Sequence, residues 1–302
     1  MKKYLFILLL PLTTFVKAQT ILENQFQFNF LALNPAFAGS RETFSLNGML
    51  GNQFNGTIRP QQMYQLFSMD GPVQQGQGGL ALQAHNDNSN TVGFNNSGVK
   101  ISYAYRKKFG DIFTLGLGAN AGFIYQPIIT TTLGAKQLFP YVGLGGLFSS
   151  ERFFVSVSKP VLFINEAVIL NNKKPFYSML GFSLGEIENL MMNVSGLLET
   201  NKDKKANIFI TAKVWVKKSV GVGVMYRSET NPLGDKKNKI IPMAEFQITD
   251  SFRLGASYDA NPFSFPDASG STPTTKRGGV LQLFLRYDFI RDDSNDSRLK
   301  YY

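Results

Sequence analysis

The chain has 302 residues, of which 43% are hydrophobic and 17% charged, and its formal net charge is +10. Soluble domains usually have about a quarter of their residues charged, so this proportion is low for a soluble domain. No cysteine is present, which excludes disulfides, a thiol nucleophile, cysteine-ligated metals and a lipid-anchored cysteine. The one histidine, His85, excludes metal sites built from several histidines and leaves any Ser-His-Asp triad dependent on this residue.

The N-terminus has the pattern of a secretory signal peptide over residues 1–18. Two lysines at positions 2 and 3 are followed by the apolar stretch YLFILLLPLTTFV, and Val16-Lys17-Ala18 places small residues where a signal peptidase cuts. We therefore expect cleavage near Ala18-Gln19 and export of the remaining chain. An uncleaved anchor is the alternative, but the apolar run is short for a helix that spans a bilayer.

Apolar or glycine-rich runs with a period of two recur along the rest of the chain, and this period predicts strands. No stretch with a helical period of useful length interrupts them, so the chain is predicted to be all-β. In chain order, the roughly fourteen runs are ETFSLNGML, QMYQLFSM, GGLALQAH, SGVKISYAYR, DIFTLGLGANAGF, QLFPYVGLGGLF, RFFVSVSK, PFYSMLGFSL, LMMNVSGLL, ANIFITAKVWV, VGVGVMYR, IIPMAEFQI, FRLGASYD and GVLQLFLRYDF.

The runs at residues 206–216 and 220–227 lie close enough together to predict a β-hairpin. If Lys217-Lys218-Ser219 forms the connection, Val216 pairs with Val220, and the valines of both strands then share one face. Whether that face contacts a protein core or lipid is the question that decides the fold.

The connections between the runs alternate in length. Short connections, such as 107–110, 149–151, 185–189, 217–219 and 249–251, separate long ones, such as 52–61, 86–95, 125–136, 159–174, 229–239 and 260–278. Outer-membrane barrels place tight turns at the periplasmic end and long loops outside. The pattern therefore predicts a transmembrane antiparallel β-barrel of about 14 strands over residues 42–290, followed by a polar C-terminal tail over 291–302.

The two faces of each predicted strand agree with a barrel in lipid. Leu115 and Leu117 alternate with Gly116, Gly118 and Asn120. A soluble sandwich shows the same alternation, but its outward face carries far more charge, so we expect the apolar face to contact lipid. Aromatic residues near strand ends suit the girdles of such barrels: Tyr103, Tyr105, Tyr226, Tyr258, Tyr287 and Phe289.

Seven charged side chains fall on the face predicted to point into the lumen. One interpretation is an internal lattice of salt bridges and hydrogen bonds that stiffens the barrel, and the other is a surface that grips a polypeptide or filters a solute. These residues are Lys100, Lys213, Arg227, Glu245, Arg253, Asp259 and Arg286.

No pattern in the sequence indicates catalysis or a cofactor. His85 has no evident partners for a base or a metal ligand, and the stretch GLGANAG at 116–122 lacks the spacing and following helix of a phosphate-binding loop. Glu186 and Glu188 lie in a predicted tight turn. We therefore expect no enzymatic activity, no cofactor, no metal, no small-molecule substrate and no nucleic acid as a partner.

The segment QFQFNFLALNPAFAGS, residues 25–40, resembles the N-terminal signature of the PorP/SprF family of outer-membrane proteins of Bacteroidetes. In that family a stretch containing Phe and Gln ends in Asn-Pro-Ala-aromatic-Ala-Gly, matched here by residues 34–39, with Phe37 where Tyr is commoner. Weaker matches follow in order along the mature chain, including GNQFNG, with Phe54 in place of Trp, VSVSKPVLFIN, GVMYRSE, LGASYD and LRYDF.

The resemblance implies a barrel in the outer membrane that takes part in type IX secretion and gliding motility. Members of the family work with periplasmic components of the secretion machinery, or retain a large secreted adhesin at the cell surface through its C-terminal domain. By this resemblance the chain is expected to anchor, present or assist export of such an adhesin. A passive porin or solute channel is the first alternative, and a periplasmic β-protein that binds a ligand outside the membrane is the second.

The segment over residues 19–41, which contains this motif, is expected to lie at the periplasmic rim or inside the lumen. Proline restricts its own φ and disfavours helix at the residue before it, while glycine permits a turn before the first strand. The aromatic residues either form a docking surface or plug, or simply pack the mouth of the barrel. The candidate residues are Phe26, Phe28, Phe30, Asn34, Pro35, Phe37 and Gly39.

Overall fold

The computed structural model describes residues 26–54, 60–89, 94–110, 112–127, 136–163, 174–186, 189–200, 206–230, 236–260 and 279–289. The predicted signal peptide and the C-terminal tail lie outside the described residues. Within those ranges, no helix is both long and apolar enough to cross a membrane. The strands are β1 (Phe44–Phe54), β2 (Pro60–Val73), β3 (Gly78–Ser89), β4 (Phe94–Phe109), β5 (Phe113–Pro127), β6 (Lys136–Ser149), β7 (Phe153–Phe163), β8 (Phe176–Glu186), β9 (Leu190–Thr200), β10 (Ala206–Val216), β11 (Val220–Thr230), β12 (Lys236–Gln247), β13 (Phe252–Asp259) and β14 (Val280–Phe289).

Each strand pairs with its neighbours in the sequence, and β14 pairs with β1, so the sheet closes on itself. All of the strand pairings are antiparallel, including the pairing of β14 with β1 that closes the barrel. Closure matters because lipid offers no partner to an unpaired backbone N–H or C=O group. The prediction of a 14-stranded antiparallel barrel is confirmed.

The β10–β11 hairpin has the predicted register, with Val216 opposite Val220. Lys217 and Lys218 both have positive φ, at 46° and 58°, and the N–H of Ser219 bonds the carbonyl of Val216 at 3.0 Å. Positive φ at both central residues is the mark of a type I′ turn, whose twist matches that of the two strands. Lysine tolerates this backbone less well than Asn or Gly would.

Short connections lie at one end of the barrel, called here the turn end, and long connections at the other, called the loop end. Several strands extend further towards the loop end than the apolar runs indicate. The predicted loop 229–239 is in fact strand up to Thr230 and again from Lys236. Polar residues continue these strands because above the apolar band the outer face no longer needs to be hydrophobic.

The outer face of the barrel is apolar, as expected. Ile210, Val222 and Leu283 are each about half exposed, although none of them lies at an edge or in a loop. A continuous apolar surface of this kind is rare on soluble proteins and is the surface that lipid covers. The six aromatic residues assigned to the girdles also point outward: Tyr103, Tyr105, Tyr226, Tyr258, Tyr287 and Phe289.

A single charge placed on the middle of this outer face should destabilise the barrel. We expect Val224→Arg, at the centre of β11, to lower the free energy of unfolding by about 2–4 kcal/mol, because the guanidinium would lie near the bilayer midplane. Val220→Arg, at the turn end of the same strand, should cost only about 0–1 kcal/mol. Urea unfolding in lipid vesicles measures both. Equal costs at the two depths would contradict a lipid-facing surface.

Candidate functional site: the segment inside the barrel

Residues 26–41, called here the lumen segment, lie inside the barrel, and residues 26–39 are all buried. The segment forms 3₁₀ turns at Phe30–Ala32 and Pro35–Phe37. Asparagine side chains cap both turns: the Oδ1 atom of Asn29 accepts from the N–H of Ala32 at 3.3 Å, and that of Asn34 from Ala36 at 2.9 Å. Proline at the first position of a turn fits because no N–H is needed there.

Asn34 joins the lumen segment to the barrel wall. While its Oδ1 atom caps the second turn, its Nδ2 group donates to the carbonyls of Gly146 in β6, at 3.1 Å, and Val157 in β7, at 3.3 Å. Both N–H donors of the amide and its oxygen are thus used. A side chain of different shape or polarity would leave buried backbone groups without these bonds.

Four glycines of the wall, called here the glycine track, lie beneath the segment, and three of them allow it to lie directly on the sheet. A β-carbon at Gly145 would collide with the Oδ1 atom of Asn34, and one at Gly79 with the carbonyl of Ala38. On β5, a β-carbon at Gly118 would collide with the backbone nitrogen of Ala36, whereas one at Gly116 would make only an ordinary contact, at 3.7 Å, with the carbonyl oxygen of Ala36. The track consists of Gly79, Gly116, Gly118 and Gly145.

Gly39 closes the segment and is required by its backbone geometry. Its φ is +63°, and a β-carbon there would meet backbone atoms of Gly71 and Gly79. Its N–H donates to Asp70 at 2.9 Å, and the same carboxylate forms an ion pair with Arg41 at 2.6 Å. Asp70 therefore holds both the end of the segment and the start of the chain into β1.

Charged and hydroxyl side chains of the wall also donate to carbonyls of the segment. Lys100 donates through Nζ to Ala32 at 2.8 Å, Ser158 donates to Leu33 at 2.8 Å, and Arg106 donates to the carbonyl of Ala38. These carbonyls would otherwise be buried acceptors without partners, which is costly in a low-dielectric interior. Hydrogen bonds thus join the Asn-Pro-Ala-Phe-Ala-Gly motif to four strands, β2, β4, β6 and β7.

The aromatic residues of the segment contact aromatic residues on the opposite side of the lumen and on β7. Phe28 stacks on Phe284 with ring centroids 4.9 Å apart and planes inclined by 10°. Phe26 meets Phe209 edge-on at 6.3 Å. The ring centroid of Phe154 lies 5.1 Å from that of Phe30 and 5.5 Å from that of Phe37.

All seven charges assigned to the lumen point into the barrel: Lys100 bonds the lumen segment, and the other six belong to two groups. In the turn-end group, Glu245 pairs with Lys213 and, at 3.6 Å, with Arg253. Arg286 pairs with Asp288 at 3.1 Å. Trp215 packs under the cations, with the Arg253 guanidinium 4.7 Å from its ring centroid.

The loop-end group is built around Asp259. This carboxylate lies 3.3 Å from Lys239 and 3.9 Å from Arg227, which also pairs with Glu229. The Arg227 guanidinium lies 5.8 Å from the centroid of the Phe209 ring, which also contacts Phe26. Both groups have the geometry of an internal ion-pair lattice, because cations and carboxylates contact each other rather than an open channel.

Several residues that hold the segment or pair with the lumen charges were missed by the sequence analysis. The strand period was sufficient to place four of them on the lumen side, because each lies an even number of positions along its strand from a lumen-facing residue: Asp70 from Ser68, Arg106 from Lys100, Glu229 from Arg227 and Asp288 from Arg286. Other missed residues carry no comparable signal, because whether a lumen glycine or arginine contacts the segment depends on where the segment runs. The missed contact residues are Arg41, Asp70, Gly79, Arg106, Gly145, Ser158, Glu229 and Asp288.

The structure also places the other residues that the sequence analysis considered for chemistry. His85 lies in β3 against Gly98 of β4, and the stretch 116–122 supplies two glycines of the glycine track. Glu186 is exposed at the turn end, and Glu188 lies outside the described residues. No group of three potential metal ligands occurs among the described residues. A cavity beside the segment, lined by Gln27, among others, has room for about one water molecule.

Enlarging one glycine of the track should displace the lumen segment. We expect Gly145→Ala to lower the free energy of unfolding by about 1–3 kcal/mol, because its methyl group would overlap the Asn34 amide. The displaced segment should also raise ion conductance in planar bilayers. The neighbouring Gly146→Ala is the matched control, since a β-carbon there meets nothing closer than 3.9 Å. Identical conductance and stability for the two variants would contradict the tight fit.

The Arg41–Asp70 ion pair should contribute strongly to the position of the segment, because both side chains are buried. Either Arg41→Met or Asp70→Asn alone should lower the free energy of unfolding by about 3–5 kcal/mol, since each leaves a buried charge or polar partner uncompensated. The double variant should cost less than the sum. Lys108→Met is the control, because its pair with Glu42 is exposed and should be worth under about 1 kcal/mol. Urea unfolding in vesicles measures all four, and strict additivity would argue against the pair.

No curated protein matches this sequence. Solved structures with similar folds include the Acinetobacter baumannii outer membrane protein Omp33, with 9% identity and a TM-score of 0.49 over 82% of this chain and 98% of that chain. A Pseudomonas aeruginosa FadL homologue has 11% identity and a TM-score of 0.45 over 88% and 94%. The KdgM porin has 8% identity and a TM-score of 0.40 over 82% and 99%.

The sequence itself gives the family. The family model described as type IX secretion system membrane protein PorP/SprF matches residues 15–275, which include the lumen segment and 13 of the 14 strands. With a closed barrel and an apolar outer face, this match identifies an integral protein of the outer membrane. The chain belongs to the PorP/SprF family of type IX secretion system membrane proteins.

Proposed function

We propose that this protein is a non-enzymatic partner of a large secreted surface protein, an adhesin, which it anchors, presents or helps to export during type IX secretion and gliding. Membership of the family supports the link to type IX secretion. The adhesin, which would bind through its C-terminal domain, and the contact with periplasmic secretion components belong to the proposal.

The observation that carries the proposal is the burial of the lumen segment. A solute channel needs a continuous water-filled path, but residues 26–39 cross the lumen and are buried throughout. The segment is fixed to the wall through Asn34, through Asp70 and through the glycine track. A barrel filled in this way is better suited to act as a rigid platform than as a porin.

The charges of the lumen support the same function. A filter for solutes needs charged groups that face water and the passing molecule. Here Glu245 contacts two cations and Asp259 contacts two others, so their charges are largely compensated inside the protein. The contact with a secreted partner is therefore expected to involve the lumen segment or the loop end rather than a wide charged pore.

Affinity purification and gene deletion test this function directly. The tagged barrel, extracted in mild detergent, should co-purify with a very large surface protein, and deletion of its gene should release that protein from the cells into the medium. The positive control is the deletion strain that carries a gene copy with Gly146→Ala, which should retain the surface protein. In planar bilayers the wild-type protein should conduct poorly. Large steady conductance together with full surface retention in the deletion strain would favour the porin.

A further inference from the structure

The lumen segment is held in two different ways along its length. Residues 32–41, called here the root, are bound through polar contacts: Asn34 bonds two wall carbonyls, and Asp70 bonds Gly39 and Arg41. Residues 26–31, called here the arm, contact the wall mainly through aromatic rings. The hydrogen bonds of the root are directional, and its backbone fits closely on the glycine track. The ring contacts of the arm depend less on exact geometry.

The arm has few strong hydrogen bonds to the wall. Among the described residues, its polar side chains contribute a bond from Asn29 to Ser68 at 3.0 Å and one from Gln27 to the sulfur of Met243 at 3.4 Å. Thioether sulfur is a weak acceptor. The arm is therefore held mainly by apolar burial, which another segment with similar side chains can replace, and it can leave without breaking the bonds that fix Asn34 and Gly39.

The site under the arm, called here the socket, is a set of apolar side chains from distant strands. Phe209 of β10 and Phe284 of β14 receive Phe26 and Phe28, while Phe154 of β7 receives Phe30. Gly255 also leaves space for the Phe28 ring, because a β-carbon at position 255 would lie only 3.1 Å from that ring. The socket thus accepts an aromatic ring at every second residue of an incoming chain.

We propose that the socket is a binding site for a segment of the secreted partner with aromatic side chains at alternate positions, and that the arm occupies this site in the resting protein. The arm itself defines the chemistry of the ligand, since its sequence FQFNF places amides between the three rings. This inference rests on the proposed function for the source of the segment. The binding chemistry follows from the socket alone.

The course of the lumen segment indicates the side from which the ligand arrives. The root lies towards the turn end, where Asp70 and Gly71 are close to the β2–β3 turn. Phe26 lies beyond mid-barrel, next to Phe209 and near the loop-end group around Arg227. With the turn end in the periplasm, as loop lengths predict, the arm is reached from the outside, where a surface protein is retained.

Peptide binding tests the socket without any knowledge of the partner. The probe is the fluorescent peptide QFQFNFL, residues 25–31, and the control peptide has its three Phe replaced by Ser. The protein is the full chain in detergent, as wild type and with Phe26→Ser, Phe28→Ser and Phe30→Ser combined. We expect at least tenfold tighter binding of the probe to the triple variant, because the covalently attached arm competes at high effective concentration in the wild type.

Cross-linking controls for the folding of that variant. Because the chain has no cysteine, Asn29→Cys with Ser68→Cys, whose native side chains meet at 3.0 Å and include no ring of the socket, gives one reactive pair, which a short reversible thiol cross-linker can join. The cross-linked arm should abolish probe binding, and its release should restore it. Leu33→Cys with Ser158→Cys locks the root instead and should leave binding as in the wild type. Equal binding of probe and serine peptide, or binding unaffected by the arm cross-link, would overturn the inference.

The same two locks in cells separate this inference from the proposed function. Locking the arm should reduce retention of the surface protein at least fivefold, whereas locking the root should not. If the unlocked barrel retains no surface protein while the peptide still binds, the proposed function fails and the socket stands. If the unlocked barrel retains the surface protein and locking the arm changes nothing, the socket is not the contact.

Discussion

The structure depends on one constraint: inside a bilayer, every backbone N–H and C=O group must find its partner within the protein. The fourteen strands meet it by pairing in a closed ring, with β14 against β1. Closure fixes which side chains face lipid and which face the lumen, because successive residues of a strand point to opposite sides. It also creates an interior wide enough that side chains of the wall alone do not fill it.

The lumen segment fills that interior and obeys the same requirement by other means. It has no sheet to join, so its carbonyls and N–H groups are satisfied by side chains of the wall, such as Lys100, Ser158 and Asp70. Glycines allow the closest approaches, and phenylalanines cover the remaining apolar wall. The charged residues on either side of the segment compensate one another, which leaves the interior rigid rather than channel-like.

This arrangement connects the fold to type IX secretion. A filled barrel with an apolar outer face is stably embedded in the outer membrane. Its lumen segment continues into β1 at the turn end. The difference between the root, bound by polar contacts, and the aromatic arm is the basis for our proposal that a secreted partner replaces the arm. Under the proposed function, anchoring and exchange would use one site inside the barrel.

The sequence by itself determined the strands, their number and their faces, because a period of two and alternating loop lengths are local properties of the chain. It also indicated that Lys213, Glu245 and Arg253 point inward. It did not determine that Asn34 bonds β6 and β7, or that Gly79 and Gly145 lie beneath the motif. These contacts join residues more than forty positions apart, and only the closure of the barrel brings them together. The tertiary structure therefore decided the course of residues 26–41 and, with it, the candidate site.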